Sequence, residues 1–181
     1  MGSRDPGLPP AGTIGRAALL APLSGARAAI GQIMAQAASV GNGITTSSSE
    51  IFVVDSGETP DSAIAAAKSA VADGAVMITG PLFSAQARAV ADAVDRSIPV
   101  VSLTNDSHVA GGNLFVFGVT PLQAAKSVMG FAAGRGLRNI GIVVPQGRFG
   151  NLTIAASRSV ATSFGFNLLP AVVGKSAINL I

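Results

Sequence analysis

Residues 74–106 read GAVMITGPLFSAQARAVADAVDRSIPVVSLTND, and this stretch decides the fold. A short apolar run, Ala75 to Thr79, stops at Gly80-Pro81. A helical spacing follows from Ser84 to near Arg96, with Ala87, Val90, Ala91 and Val94 on one side. A second apolar run, Ile98 to Leu103, ends in the polar trio Thr104-Asn105-Asp106. Strand, loop, helix, strand, loop is one βαβ unit. Its crossover makes the two strands parallel and brings both carboxyl-end loops to one edge of the sheet. Ligands of open α/β sheets bind outside those ends, so Ser84 and the trio are expected to face one crevice. Ser84 falls at the predicted N-cap, where a hydroxyl usually serves its own helix. The free N–H groups and positive dipole end of a first turn also suit a carboxylate or phosphate. The residue alone leaves both readings open.

The same alternation continues on either side. Residues 1–12 are rich in Pro and Gly and read as a flexible, polar lead-in without an apolar core of a leader segment. Thr13 to Leu20 is the first predicted strand, entering the turn Ala21-Pro22-Leu23-Ser24-Gly25. A helix follows, with Ala26, Ile30, Ile33, Met34 and Ala37 at spacings of three and four, ending near Gly41–Gly43. After a polar run, Ile51 to Asp55 is the second strand. Thr59-Pro60 starts a helix, with Thr as N-cap and Pro in the first position. That helix buries Ile64, Ala67 and Val71 and stops at Gly74. Beyond the central unit come a short strand, Leu114 to Phe117, and a capping box at Thr120-Pro121-Leu122-Gln123. Its helix ends at Gly134/Gly136. Strand Ile140 to Val144, loop Pro145 to Asn151, helix Leu152 to Ser163 and an apolar run Phe166 to Val173 complete the pattern. The predicted class is α/β, a doubly wound, mostly parallel sheet.

Composition narrows the chemistry. The 181 residues are 49% hydrophobic, and no apolar run approaches the roughly 18 residues of a membrane span, so the expectation is a soluble chain. Without Cys there are no disulfides, thiolate metal sites or Cys nucleophiles. All nine acids lie between Asp5 and Asp106, which leaves the first 120 residues at −3 and the remainder at +6. The later basic residues are spaced singly, with no Lys/Arg run and no aromatic interleaving, which argues against a nucleic-acid surface. No Gly-rich fingerprint follows a strand, and no P-loop Lys is present.

Laid out in order, ALLAPLSG with Gly31 six residues after Gly25, DSGETPDSAIAAAKSAVADGAVMITGPLFS, IPVVSLTND, LFVFGVTP and NIGIVVPQGRFGN resemble the type I periplasmic-binding-protein superfamily. The likeness is to its Leu/Ile/Val receptor branch and covers Thr13 to about Val173. GPLFS followed by SLTNDSHVAGGNLFVFGVTP is most similar to the penicillin-binding-protein activator group, envelope lipoproteins that regulate peptidoglycan synthases. The resemblance implies a complete first lobe over residues 13–120 and a partial second lobe over 121–181. It also implies that the chain stops within that lobe. It further implies an amino-acid-type ligand in an interlobe cleft, and a periplasmic or envelope location. By position the ligand-binding set is Ser24, Ser84, Thr104, Asn105, Asp106 and Phe149. Asp106 departs from the small hydroxyl residue usual there. It reads either as partner of a ligand ammonium or as a turn-forming residue. Phe149 stands where the receptors carry Tyr, which removes a hydroxyl.

Three classes of function follow. A receptor would close on its ligand by hinge motion and hand it to a membrane permease. An activator would contact a peptidoglycan synthase and leave the cleft unused. An enzyme is disfavoured, since the lone His108 lies in a polar loop without a nucleophile motif. No metal cluster, cofactor or nucleic acid is expected. An unfinished second lobe with unpaired strand edges would favour a homo-oligomer.

Overall fold

The computed structural model describes residues 15–44 and 51–174. The chain divides into two units, Met1–Gly118 and Val119–Ile181. In unit 1, β1 (Arg16–Ala21), β2 (Ile51–Asp55), β3 (Ala75–Thr79), β4 (Val100–Ser102) and β5 (Leu114–Val116) form one sheet of order β2-β1-β3-β4-β5. Every pairing is parallel. The expected class therefore holds. β1 is buried from Ala17 to Ala21, as a strand covered on both faces must be. Ile78, Val100 and Leu114 stand in register across three strands. They share one core with Leu20 and with the small residues Ala63, Ala66, Ala67, Ala87 and Ala91. Those alanines belong to α2 (Pro60–Ala72) and α3 (Ser84–Ala93), and their size lets both helices approach the sheet closely.

The predicted start of α2 is observed. Thr59 Oγ1 accepts from Ser62 N at 3.1 Å, and Ser62 Oγ accepts from Thr59 N at 3.2 Å. The helix α1 (Ala28–Ile44) corrects the sequence reading. Ile30 is 44% and Ile33 65% exposed, and Ala26 and Ala37 also face outward. The buried position is Gly31, where an added Cβ would stand 2.0 Å from the carbonyl oxygen of Pro22. Spacing alone selects the larger apolar residues. Close backbone approach selects the smallest one and turns the Ile side away.

Other boundaries shift as well. α3 ends at Ala93 instead of Arg96, and β4 is shorter than the run Ile98 to Leu103. Arg88 and Asp92 make the expected i, i+4 pair, with N···O contacts of 3.0 and 2.6 Å on the solvent side of α3. The hydrogen bond from Arg88, opposed by slight desolvation, holds the Asp92 carboxyl below its ordinary value.

In unit 2, α4 (Pro121–Gly134) opens with the predicted capping box at Thr120 and Gln123. It packs on α5 (Arg148–Phe164) around Ala125, Met129, Val160, Ala161 and Phe166. α5 begins four residues before the predicted Leu152, so Phe149 lies in its first turn and not in a loop. Gly150 lies against the carbonyl oxygen of Pro145, where a Cβ would be 1.9 Å away. This repeats the relation of Gly31 to Pro22. The run Ile140 to Val144 is broken at Gly141-Ile142 into β6 (Asn139–Ile140) and β7 (Val143–Pro145). Its partner is broken near Pro170 into β8 (Asn167–Leu168) and β9 (Val172–Gly174). The pairs β6–β8 and β7–β9 are parallel.

Candidate functional site

Because all five strands of unit 1 are parallel, the loops after β1, β2, β3 and β4 emerge on one edge. Ser24, Ser84, Thr104, Asn105 and Asp106 all belong to that edge. The loop after β3 is seated by Gly80, whose N–H donates to Val101 O at 2.8 Å. The φ of Gly80 is +88°, in the left-handed region, and the Gly80-Pro81 peptide is cis. Pro81 O then accepts from Leu103 N at 3.2 Å and from Ser102 Oγ at 2.7 Å. The two loops of the central βαβ unit are thereby tied together at their roots.

Ser84 is half-buried and stands one residue inside α3, since the N-cap is Phe83. Phe83 contributes no side-chain cap bond, so the reading of Ser84 as an N-cap is corrected. Among the described residues, no side chain caps the first turn of α3, while α2 and α4 both open with capping boxes. Arg27 from the loop after β1 holds its guanidinium 4.8 Å from the centre of the Phe83 ring.

The trio after β4 is used differently by its three members. Thr104 is 5% and Asp106 2% exposed, while Asn105 faces outward. Thr104 Oγ1 accepts from Asp106 N at 3.2 Å. Asp106 Oδ1 accepts from His108 N at 3.1 Å and stands 3.1 Å from His108 Nδ1, capping the short 3-10 turn Ser107–Val109. These are the bonds of a turn-forming residue. Phe149 belongs to unit 2, where it is 44% exposed.

Four residues that hold this edge are not among the site residues expected from the sequence. Asp55 ends β2, and its Oδ1 accepts from Leu23 N, Ser24 N and Gly57 N at 2.8, 3.3 and 2.9 Å. Glu58 Oε1 accepts from Arg27 N at 2.9 Å. Gln86, almost wholly buried, donates through Nε2 to Gly57 O and Thr59 O at 3.1 Å each. Its Oε1 has no partner among the described residues. Ser102 bridges the loops as above. The signals were available: an Asp-Ser-Gly turn after a strand, and polar residues on otherwise apolar faces. Ser102→Ala is expected to lower stability by about 1–3 kcal/mol: Pro81 O keeps Leu103 N as donor, but the buried Thr104 N–H loses Ser102 Oγ as its acceptor. A urea midpoint that falls with unchanged slope reads that loss directly.

Among the described residues, no three His, Asp or Glu side chains gather to hold a metal, and no helix is long and apolar enough to cross a membrane. The model of a family described as periplasmic binding protein matches residues 15–180. Curated proteins yield no match. An ABC transporter substrate-binding protein from Sphaerobacter thermophilus superposes with a TM-score of 0.73 at 21% identity, over 88% of this chain and 47% of that one. An amino acid ABC transporter substrate-binding protein from Pseudomonas fluorescens Pf-5 gives 0.70 at 18% identity, over 90% and 46%. Full-length LpoA from Haemophilus influenzae gives 0.65 at 20% identity, over 89% and 30%. At these identities the likeness is one of fold. The chain spans about half the length of the first two.

Proposed function

Because the chain belongs to the type I periplasmic binding protein family, we propose that it is part of an extracytoplasmic, non-catalytic solute receptor that takes a small amino-acid-type ligand at the carboxyl edge of unit 1. The observation that carries this is the first turn of α3, which meets that edge with no side-chain cap bond at Phe83 and with half-buried Ser84 in its first position. A ligand carboxylate suits such donors and the dipole behind them. Asn105 is the member of the trio exposed enough to meet the rest of the ligand. Thr104 and Asp106 act behind it by shaping the loop.

The test is thermal unfolding of the chain against a panel of L-amino acids. A ligand at about 100 times its Kd stabilises by roughly 2.7 kcal/mol. Ser84→Asp places a carboxylate of its own in the first turn. It is expected to leave the unliganded melting temperature unchanged or slightly raised, and to abolish the ligand-induced rise. A rise that survives in Ser84→Asp puts the ligand elsewhere.

A second reading has its own support. Thr104 and Asp106 are buried and hydrogen-bonded within their loop, which leaves Asn105 as the exposed member of the trio. This favours an activator-type envelope protein that contacts a peptidoglycan synthase. Co-purification of a synthase, together with no stabilisation by any amino acid, would select it.

A further inference from the structure

We propose that Asp55 is the positioning residue of this edge: its ionised carboxylate holds the loop that carries Ser24, and the loop loses its shape when that charge is removed. Calling this a function of the site rests on the ligand reading above. The hold itself rests on geometry alone. The loop after β1, from Leu23 to Arg27, is largely exposed and buries no side chain that would fix it. Yet three backbone N–H groups, from Leu23, Ser24 and Gly57, converge on the single atom Asp55 Oδ1. Neutral side chains rarely gather three donors. A carboxylate does so because each bond is charge-assisted.

Among the described residues, the charged groups around Asp55 are few, and Arg27 on the held loop keeps its guanidinium over the Phe83 ring. Glu58 lies on the same loop and is occupied by Arg27 N. α1, which packs on β2, contains no charged residue. α2 contributes Asp61 and Lys68, and β1 has only Arg16, at the opposite end of the sheet. The backbone donors and the Ser24 hydroxyl are therefore the principal partners of the charge. Desolvation works against ionisation, but the hydrogen bonds from Gly57 N, the Ser24 hydroxyl, Leu23 N and Ser24 N outweigh it and hold the carboxyl below its ordinary value. A depressed acid stabilises the fold at all pH values above the ordinary one, and the hold is lost as pH falls through the lowered value. The loop is thus set throughout the neutral range and releases only in acid.

The experiment follows the amide resonances of Leu23, Ser24 and Gly57 in the full chain as pH is lowered. The three are expected to move on one curve, with a midpoint below 3.8, the ordinary value for this carboxyl. The Arg27 amide, held by Glu58, should follow a different curve. At neutral pH, Asp55→Asn should speed hydrogen exchange at Leu23 and Ser24 by about tenfold or more, while the capping-box amide of Ser62 keeps its protection. Separate curves for the three amides overturn the proposal, and so does retained protection at Leu23 and Ser24 in Asp55→Asn. Neither readout uses a ligand. Failure to find a stabilising amino acid therefore counts against the receptor reading and not against this one.

Discussion

Gly80→Ala is expected to destabilise unit 1 by more than about 3 kcal/mol, the size reserved for backbone strain and core overpacking. Two independent costs add. The φ of +88° is unfavourable for any residue with a Cβ, by roughly 1–2 kcal/mol. The added Cβ would also stand 2.4 Å from the carbonyl oxygen of Leu20, a fully buried residue of β1. That oxygen belongs to a strand paired on both sides, so it cannot retreat without disturbing β2 and β3. The expected readout is a fall in melting temperature on the order of 10 °C or more. Gly74→Ala is the control. Gly74 has a similar φ of +92° and nothing within 4 Å of an added Cβ, so it should cost only the strain. Equal losses in the two variants would mean that the contact with β1 is not as described.

Gln86→Glu should be comparably damaging at neutral pH, although it changes one NH2 group to oxygen. Nε2 of Gln86 faces the carbonyl oxygens of Gly57 and Thr59 at 3.1 Å and that of Ser56 at 3.5 Å. A carboxylate there would be buried, unpaired and surrounded by acceptors, at a cost of about 3–5 kcal/mol. Burial and the neighbouring carbonyls raise the pKa of such a group in the folded state. The sign of the pH dependence follows. The folded chain then binds the proton more tightly than the unfolded chain, so the damage is greatest above the raised pKa and fades as pH falls through it. Unfolding free energies of wild type and variant, measured from neutral pH to about pH 4, should converge in acid. Gln86→Met removes both the donors and the unpartnered Oε1, and should cost less at neutral pH. A Glu variant whose deficit does not change with pH would mean that the amide does not face those carbonyls.

These two positions also show where sequence reading stops. Gly80 was visible as the end of a strand, since Gly-Pro interrupts an apolar run wherever it falls. The reason it must be glycine is the Leu20 carbonyl, which lies 60 residues away in the chain. Gln86 was readable as a polar residue beside Ala87 on the inner side of a helix, but its carbonyl partners come from a different loop. The same holds for α1. Its existence followed from spacing, while the face it buries was decided by how closely Gly31 approaches Pro22.

What the sequence determined by itself was the alternation of strands and helices, the capped starts of α2 and α4, and the parallel order that sends four loops to one edge. These depend on local periodicity, on first-turn chemistry and on the handedness of the crossover, all of which act over short stretches of chain. The assignment of roles along that edge was left to the tertiary structure. It turned Asp106 inward to shape its own turn, moved the N-cap from Ser84 to Phe83, and gave the fixing of the first loop to Asp55. Each of those outcomes depends on which donor lies within about 3 Å of which acceptor, a distance that packing between remote segments sets.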